Sequence, residues 1–221
     1  MKAKHIFLVV ILLLPAIFAT AQYPEKVTFG ILAGVNAQNL YGQDSNGVRL
    51  GNEMILGYHA GANIQIHLAK KFYFQPGLLF STKGKEKYAF RTITRLAYLE
   101  LPMNFVYKTQ LGKGYFMIGL GPYISYAIMG MEKTKLDGET AHKEDIEFRN
   151  SVKADDPLTD IFYKAFDAGV NGFCGYELAG VFAQLNAQLG LVNINPEYEA
   201  RSDDKSSIKN TGFGFSLGYR F

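Results

Sequence analysis

Phe213-Gly214-Phe215-Ser216-Leu217-Gly218-Tyr219-Arg220-Phe221 is the stretch that decides the fold class. Odd positions are large and apolar or aromatic. Even positions are small or polar. Successive side chains of an extended strand point to opposite sides, so strict alternation defines a strand with two unlike faces. A face this apolar must be buried, either against protein or against lipid.

Working outward from this run, the same two-residue period recurs seven more times. Strands are expected at about Val27–Asn36, Leu56–Leu68, Phe72–Thr82, Arg95–Lys108, Tyr115–Met129, Phe166–Leu178 and Val181–Asn193, with the closing run as the eighth. The connections alternate in length. Ala37–Ile55, Lys83–Thr94, Gly130–Ala165 and Ile194–Asn210 are long and polar, whereas Ala69–Lys71, Thr109–Gly114 and Ala179–Gly180 are short. This rhythm is that of an all-β, eight-stranded antiparallel up-and-down transmembrane β-barrel, with long external loops and tight periplasmic turns. An even strand number places both ends of the barrel on the short-turn side.

The competing architecture is a soluble calyx, apolar inside and wet outside. Its outer face would carry Lys and Glu. Here the polar faces carry mainly Gly, Asn, Gln and Ser, which suit the inside of a narrow barrel. The apolar faces stay free of charge for about ten residues, enough at ~3.3 Å each to cross an apolar band when tilted. Aromatic placement agrees. Phe72, Phe74, Phe105, Tyr107, Phe116, Tyr176, Tyr219 and Phe221 lie on apolar faces beside the short turns. Tyr58, Phe80, Tyr126 and Phe166 lie nearer the long loops, so two girdles are expected. Lipid offers no hydrogen-bond partner, so the sheet must close. Pro76, Pro102 and Pro122 fall inside strands and lack the N–H a ladder needs, so bulges or pairing gaps are expected there. Tyr115–Met131 is uncharged and long enough for a spanning helix, but Gly119-Leu120-Gly121-Pro122 at its centre favours a strand.

Met1 to Ala21 reads as a secretory signal: Lys2 and Lys4, an apolar run from Ile6 to Ile17, then Ala19-Thr20-Ala21 before cleavage between Ala21 and Gln22. The domain plan is therefore a signal over residues 1–21 and a barrel over 22–221, exported by the general secretory route to the outer membrane of a Gram-negative cell. Without Lys2 and Lys4 the formal charge falls from +3 to +1, which gives no electrostatic case for nucleic acid. Cys174 is the single cysteine, so an internal disulfide is impossible.

The strand pattern also sends charges inward. Glu100, Asp167, Glu177 and Arg220 are expected in the lumen, and Arg220 should meet Glu177 or Glu100 near the periplasmic end. Charges in so narrow a space must be paired or hydrated, and the structural reading, a salt-bridged plug, outweighs a gated pore. His59 and His67 lie eight residues apart, about 26 Å along a strand, too far to share a metal. His142 sits in an acidic stretch without ligand spacing. No nucleophile motif and no phosphate loop before a helix is found, so neither enzymatic activity nor a cofactor or metal is expected. The Gly130–Ala165 loop is dense in charge and is expected to be solvated and partly mobile.

Four segments in order, Tyr98-Leu99-Glu100-Leu101-Pro102, Gly119-Leu120-Gly121-Pro122-Tyr123, Gly190-Leu191-Val192-Asn193-Ile194 and Leu217-Gly218-Tyr219-Arg220-Phe221, resemble the PorT-like outer-membrane β-barrel family of Bacteroidetes-type bacteria. The resemblance implies an eight-stranded outer-membrane barrel. Through the family's namesake it also implies an envelope-interaction or secretion-assisting role, and the length and charge of the 130–165 loop make that loop the expected contact. A small porin or ligand-binding barrel is the alternative. The partners expected are outer-membrane lipid, and the barrel assembly machinery, which would read Phe221 as a C-terminal assembly signal.

Overall fold

The computed structural model describes residues 27–87, 92–136, 139–153, 155–156, 161–199 and 205–221. The expected signal and its cleavage site at Ala21 and Gln22 lie outside the described residues. The strands are β1 (Val27–Gln43), β2 (Ile55–Ala69), β3 (Phe72–Lys87), β4 (Thr92–Leu111), β5 (Gly114–Leu136), β6 (Glu139–Phe148), β7 (Ser151–Val152), β8 (Ile161–Tyr163), β9 (Phe166–Leu178), β10 (Val181–Gly190), β11 (Glu197–Tyr198) and β12 (Ser207–Arg220).

Among the described residues eight of these strands form a closed ring. Pairing runs β4-β3-β2-β1-β12-β10-β9-β5 and returns from β5 to β4. Each barrel strand pairs antiparallel with the barrel strands before and after it in the chain, an up-and-down barrel with no free edge. The ends of the barrel meet along β1 and β12, from Gly30↔Arg220 to Gln43↔Ser207, and the Phe221 N–H donates to the Phe29 carbonyl at 2.8 Å. Val27 and Phe221 therefore lie at the end of the short turns.

The alternation resolves as lipid-facing outside and polar inside. Leu185 is 62% exposed and its neighbour Gln184 only 4%. Leu56, Leu101, Leu120, Phe213 and Leu217 are exposed on the outer wall, while Asn36, Asn63, Gln65, Gln75, Asn104 and Ser216 are buried. Both girdles form. Near the short turns Phe72 meets Tyr107, Phe74 meets Phe105 and Tyr219 meets Phe221, with ring centroids 5.3, 5.4 and 5.0 Å apart. Near the long connections Tyr58 stacks on Phe80 at 6.0 Å and Tyr126 pairs across the ladder with Phe166.

The prolines leave gaps but no bulges. The β2–β3 ladder skips from Asn63↔Gly77 to Ile66↔Phe74, β3–β4 from Pro76↔Met103 to Leu79↔Glu100, and β4–β5 from Pro102↔Tyr123 to Phe105↔Leu120. Each gap holds one of the three prolines, and the register is the same on either side. The β4–β5 bulge lies elsewhere, at Ala97/Tyr98 opposite Ile128. Tyr115–Met131 falls within β5 as strand.

All four expected long loops contain strand: residues 37–43 belong to β1, and residues 194–210 include β11 and the start of β12. Lys83–Thr94 is mostly strand, because β3 and β4 stay paired out to Lys87↔Thr92. Gly130–Ala165 is not simply a solvated loop. β5 continues to Leu136 and pairs with β6, β6 pairs parallel with β8, and β7 pairs parallel with β11. The physical reason is apolar residues hidden among the charges: Ile146, Phe162 and Tyr163 are buried. They give this segment a face worth folding against the barrel.

Candidate functional site

The interior is layered along the barrel axis, and strand parity sets the layers. At the short-turn end β4, β9 and β12 direct Lys108, Glu177 and Arg220 inward. Glu177 accepts from the Lys108 ammonium at 2.7 Å and from Arg220 Nε at 3.0 Å. Arg220 also donates to Asn63 Oδ1 at 3.1 Å and to Gln75 Oε1 at 3.4 Å, and its guanidinium lies 5.1 Å from the Phe182 ring. Beside this plug sits a small apolar belt of Val106, Met117, Phe173 and Phe182. Gly119 and Gly218 make room for it. A Cβ at either would overlap the ring of Phe173 or Phe182.

The middle is a chamber of about 80 Å³ lined by amides, including Asn36, Gln38, Asn104, Asn171 and Gln184. Each of these five has one buried amide atom without a protein partner. Unpartnered buried amides are costly, and a polar space of this size holds water readily. Here His59 Nε2 meets Ser216 Oγ at 2.7 Å, and Asn186 donates to the same hydroxyl at 2.7 Å.

Toward the long connections lies a second ionic group. Lys83 is fully buried and pairs with Glu100 at 2.8 Å and Asp167 at 3.2 Å. Its ammonium lies 4.9 and 4.5 Å from the Tyr98 and Tyr123 ring centroids. Tyr123 Oη and Asn210 Nδ2 donate to Asp167 Oδ2 at 3.1 and 2.9 Å, and Gln188 Nε2 donates to Glu100 Oε2 at 2.8 Å. Above this group the mouth is filled by Leu40, Leu96, Tyr98, Ile146, Tyr163 and Ile194. Burial pushes the Tyr163 phenol well above its ordinary value.

The four expected lumen charges thus divide into two pairs. Arg220 meets Glu177 and not Glu100. Glu100 and Asp167 meet only through Lys83. Asp167 and Glu177 are ten residues apart on β9, about 33 Å of strand. The cations Lys83 and Lys108 were missed, because Lys83 was placed in a loop and Lys108 at a strand end. Their parity signals them: Lys83 follows Gln75, Gly77 and Ser81 at even spacing, and Lys108 follows Glu100 and Asn104.

A closed antiparallel ring of eight strands, apolar outside and polar within, defines an outer-membrane β-barrel. The model of the outer membrane protein beta-barrel domain family matches residues 20–195, most of the chain. The chain belongs to that family. β12 lies beyond the matched segment, yet it closes the ring. Among solved structures the chain is similar to neisserial surface protein A (TM-score 0.45, 10% identity, covering 89% of this chain and 100% of that one). It is also similar to Ail, the attachment invasion locus protein of Yersinia pestis (TM-score 0.43, 9% identity, covering 89% and 99%). No curated protein matches the chain.

Proposed function

We propose that this chain is a non-enzymatic, non-conducting outer-membrane barrel of the PorT-like type. It is exported through the general secretory route by the signal at residues 1–21. Its working surface is the folded outer cap of β6, β7, β8 and β11, and its role is envelope interaction or assistance to secretion. One observation carries the reading: the outer mouth is filled by a hydrophobic core, above a fully buried Lys83. A barrel sealed in this way presents a surface and offers no path to solutes. Planar-bilayer recording of the refolded mature chain should show no discrete conductance steps, and reproducible steps would overturn the closed reading. Envelope partners captured by the intact protein should be lost when residues 139–163 are replaced by a short turn. A knockout that stops secretion of exported proteins would favour the secretion role over a purely structural one. The ligand-binding alternative retains one support, the amide-lined chamber.

A further inference from the structure

We infer that the periplasmic vestibule is a binding site for a carboxylate. The vestibule, about 310 Å³, opens at the short-turn end and is lined by Thr28, Gln65, Tyr73, Lys108, Glu177 and Arg220. Two cations share one carboxylate there. The Lys108 and Glu177 side chains are each 10% exposed and that of Arg220 only 4%, so two largely buried side-chain cations face a single side-chain carboxylate. An uncompensated buried charge is costly, and an anion that completes the set relieves that cost.

Hydrogen-bond capacity gives the same answer. An ammonium carries three donors and a guanidinium five. Lys108 donates to Glu177, and Arg220 donates to Glu177, Asn63 and Gln75. The remaining N–H groups of both cations have no protein acceptor among the described residues.

The rim draws the same kind of ligand. The adjoining turns carry Lys70, Lys71 and Lys113, and Glu177 is the only acidic side chain among the described residues of this end. Such a field raises the local concentration of anions. A carboxylate already bridges these two cations as Glu177, and a second one presents two acceptor oxygens to their remaining N–H groups. Tyr73, whose ring lies 5.9 Å from the Lys108 ammonium, and Gln65 add neutral polar groups beside the cations. The site therefore fits a small carboxylate ligand with neutral polar groups beside the acid.

The test uses the refolded mature chain in a non-ionic detergent, titrated with N-acetylalanine, N-acetylalaninamide and inorganic phosphate. Binding is followed through the amide NMR signals of Gln65, Tyr73 and Gly180. N-acetylalanine should give saturable shifts that weaken with salt, and the amide should give none. Lys108→Gln leaves a neutral Glu177–Arg220 pair and should weaken binding by about tenfold or more, the loss of one charge-assisted contact. Lys108→Arg, which keeps the charge, should retain binding. Equal responses to acid and amide, tighter binding of phosphate than of N-acetylalanine, or undiminished binding by folded Lys108→Gln would each overturn the proposal.

Discussion

Lys83 shows how much one side chain can decide. It is fully buried with two carboxylates, two tyrosine rings and no water-facing edge. Lys83→Met would leave Glu100 and Asp167 as buried like charges without their cation. Breaking a buried pair from one side costs about 3–5 kcal/mol. The variant should therefore show a lower urea midpoint and less heat-modifiable folded protein on gels. Asp167→Asn added to it should recover part of the loss, since one of the two stranded charges is then gone. The turn residue Ala179 is held at φ 51° beside Gly180 at φ 84°. A two-residue hairpin with both central residues left-handed matches the twist of the strands it joins, which is why β9 and β10 reverse so tightly.

At the level of the elements, the main finding is that the longest connection is built rather than loose. β5 and β6 continue the sheet past the bilayer, and β8 returns alongside β6 to drop Tyr163 into the barrel mouth. On its exposed flank Arg149 Nη1 donates to Asp156 at 2.8 Å, and the Lys153 N–H donates to the same carboxylate at 2.8 Å. The Lys153 backbone N–H first, and then the Arg149 guanidinium, hold Asp156 below the usual carboxylate range. A depressed carboxylate contributes at neutral pH, and that contribution is lost as pH falls through its folded value. The apolar seal can be tested directly. In a Cys174→Ser background, a cysteine at Ile194 should react slowly with a water-soluble maleimide, because Ile194 is fully buried. Adding Ile146→Ala and Tyr163→Ala should speed labelling by about tenfold or more, since removal of two large core side chains opens the mouth. Unchanged labelling would show that the cap does not close it.

For the whole molecule, closure is the controlling event. A spanning sheet cannot keep an edge in lipid, so the β1–β12 seam must form before the barrel is stable. The chain end sits on that seam, where the Phe221 N–H reaches the Phe29 carbonyl and the Phe221 ring packs edge-on against Tyr219. If Phe221 also serves as the assembly signal, its deletion should lower the folded fraction in the outer membrane severalfold while leaving refolding in detergent nearly intact. Equal losses in both assays would assign the residue to the seam alone.

The alternation of residues set the fold class and the number of barrel strands, because a period of two marks an extended strand with two unlike faces, and the Gly, Asn, Gln and Ser of the polar faces set which side would meet lipid. It also placed the girdles and the proline gaps, since both are properties of a single strand and its neighbour. What tertiary structure decided was partnership. That Glu100 and Asp167 share Lys83, while Glu177 holds Arg220 and Lys108, depends on how eight tilted strands are staggered around a ring, and no single strand encodes that stagger. The cap was illegible for the same reason. Ile146 and Tyr163 look like isolated apolar residues in a charged stretch until Leu40, Leu96 and Ile194, far away in the chain, supply the surface they cover.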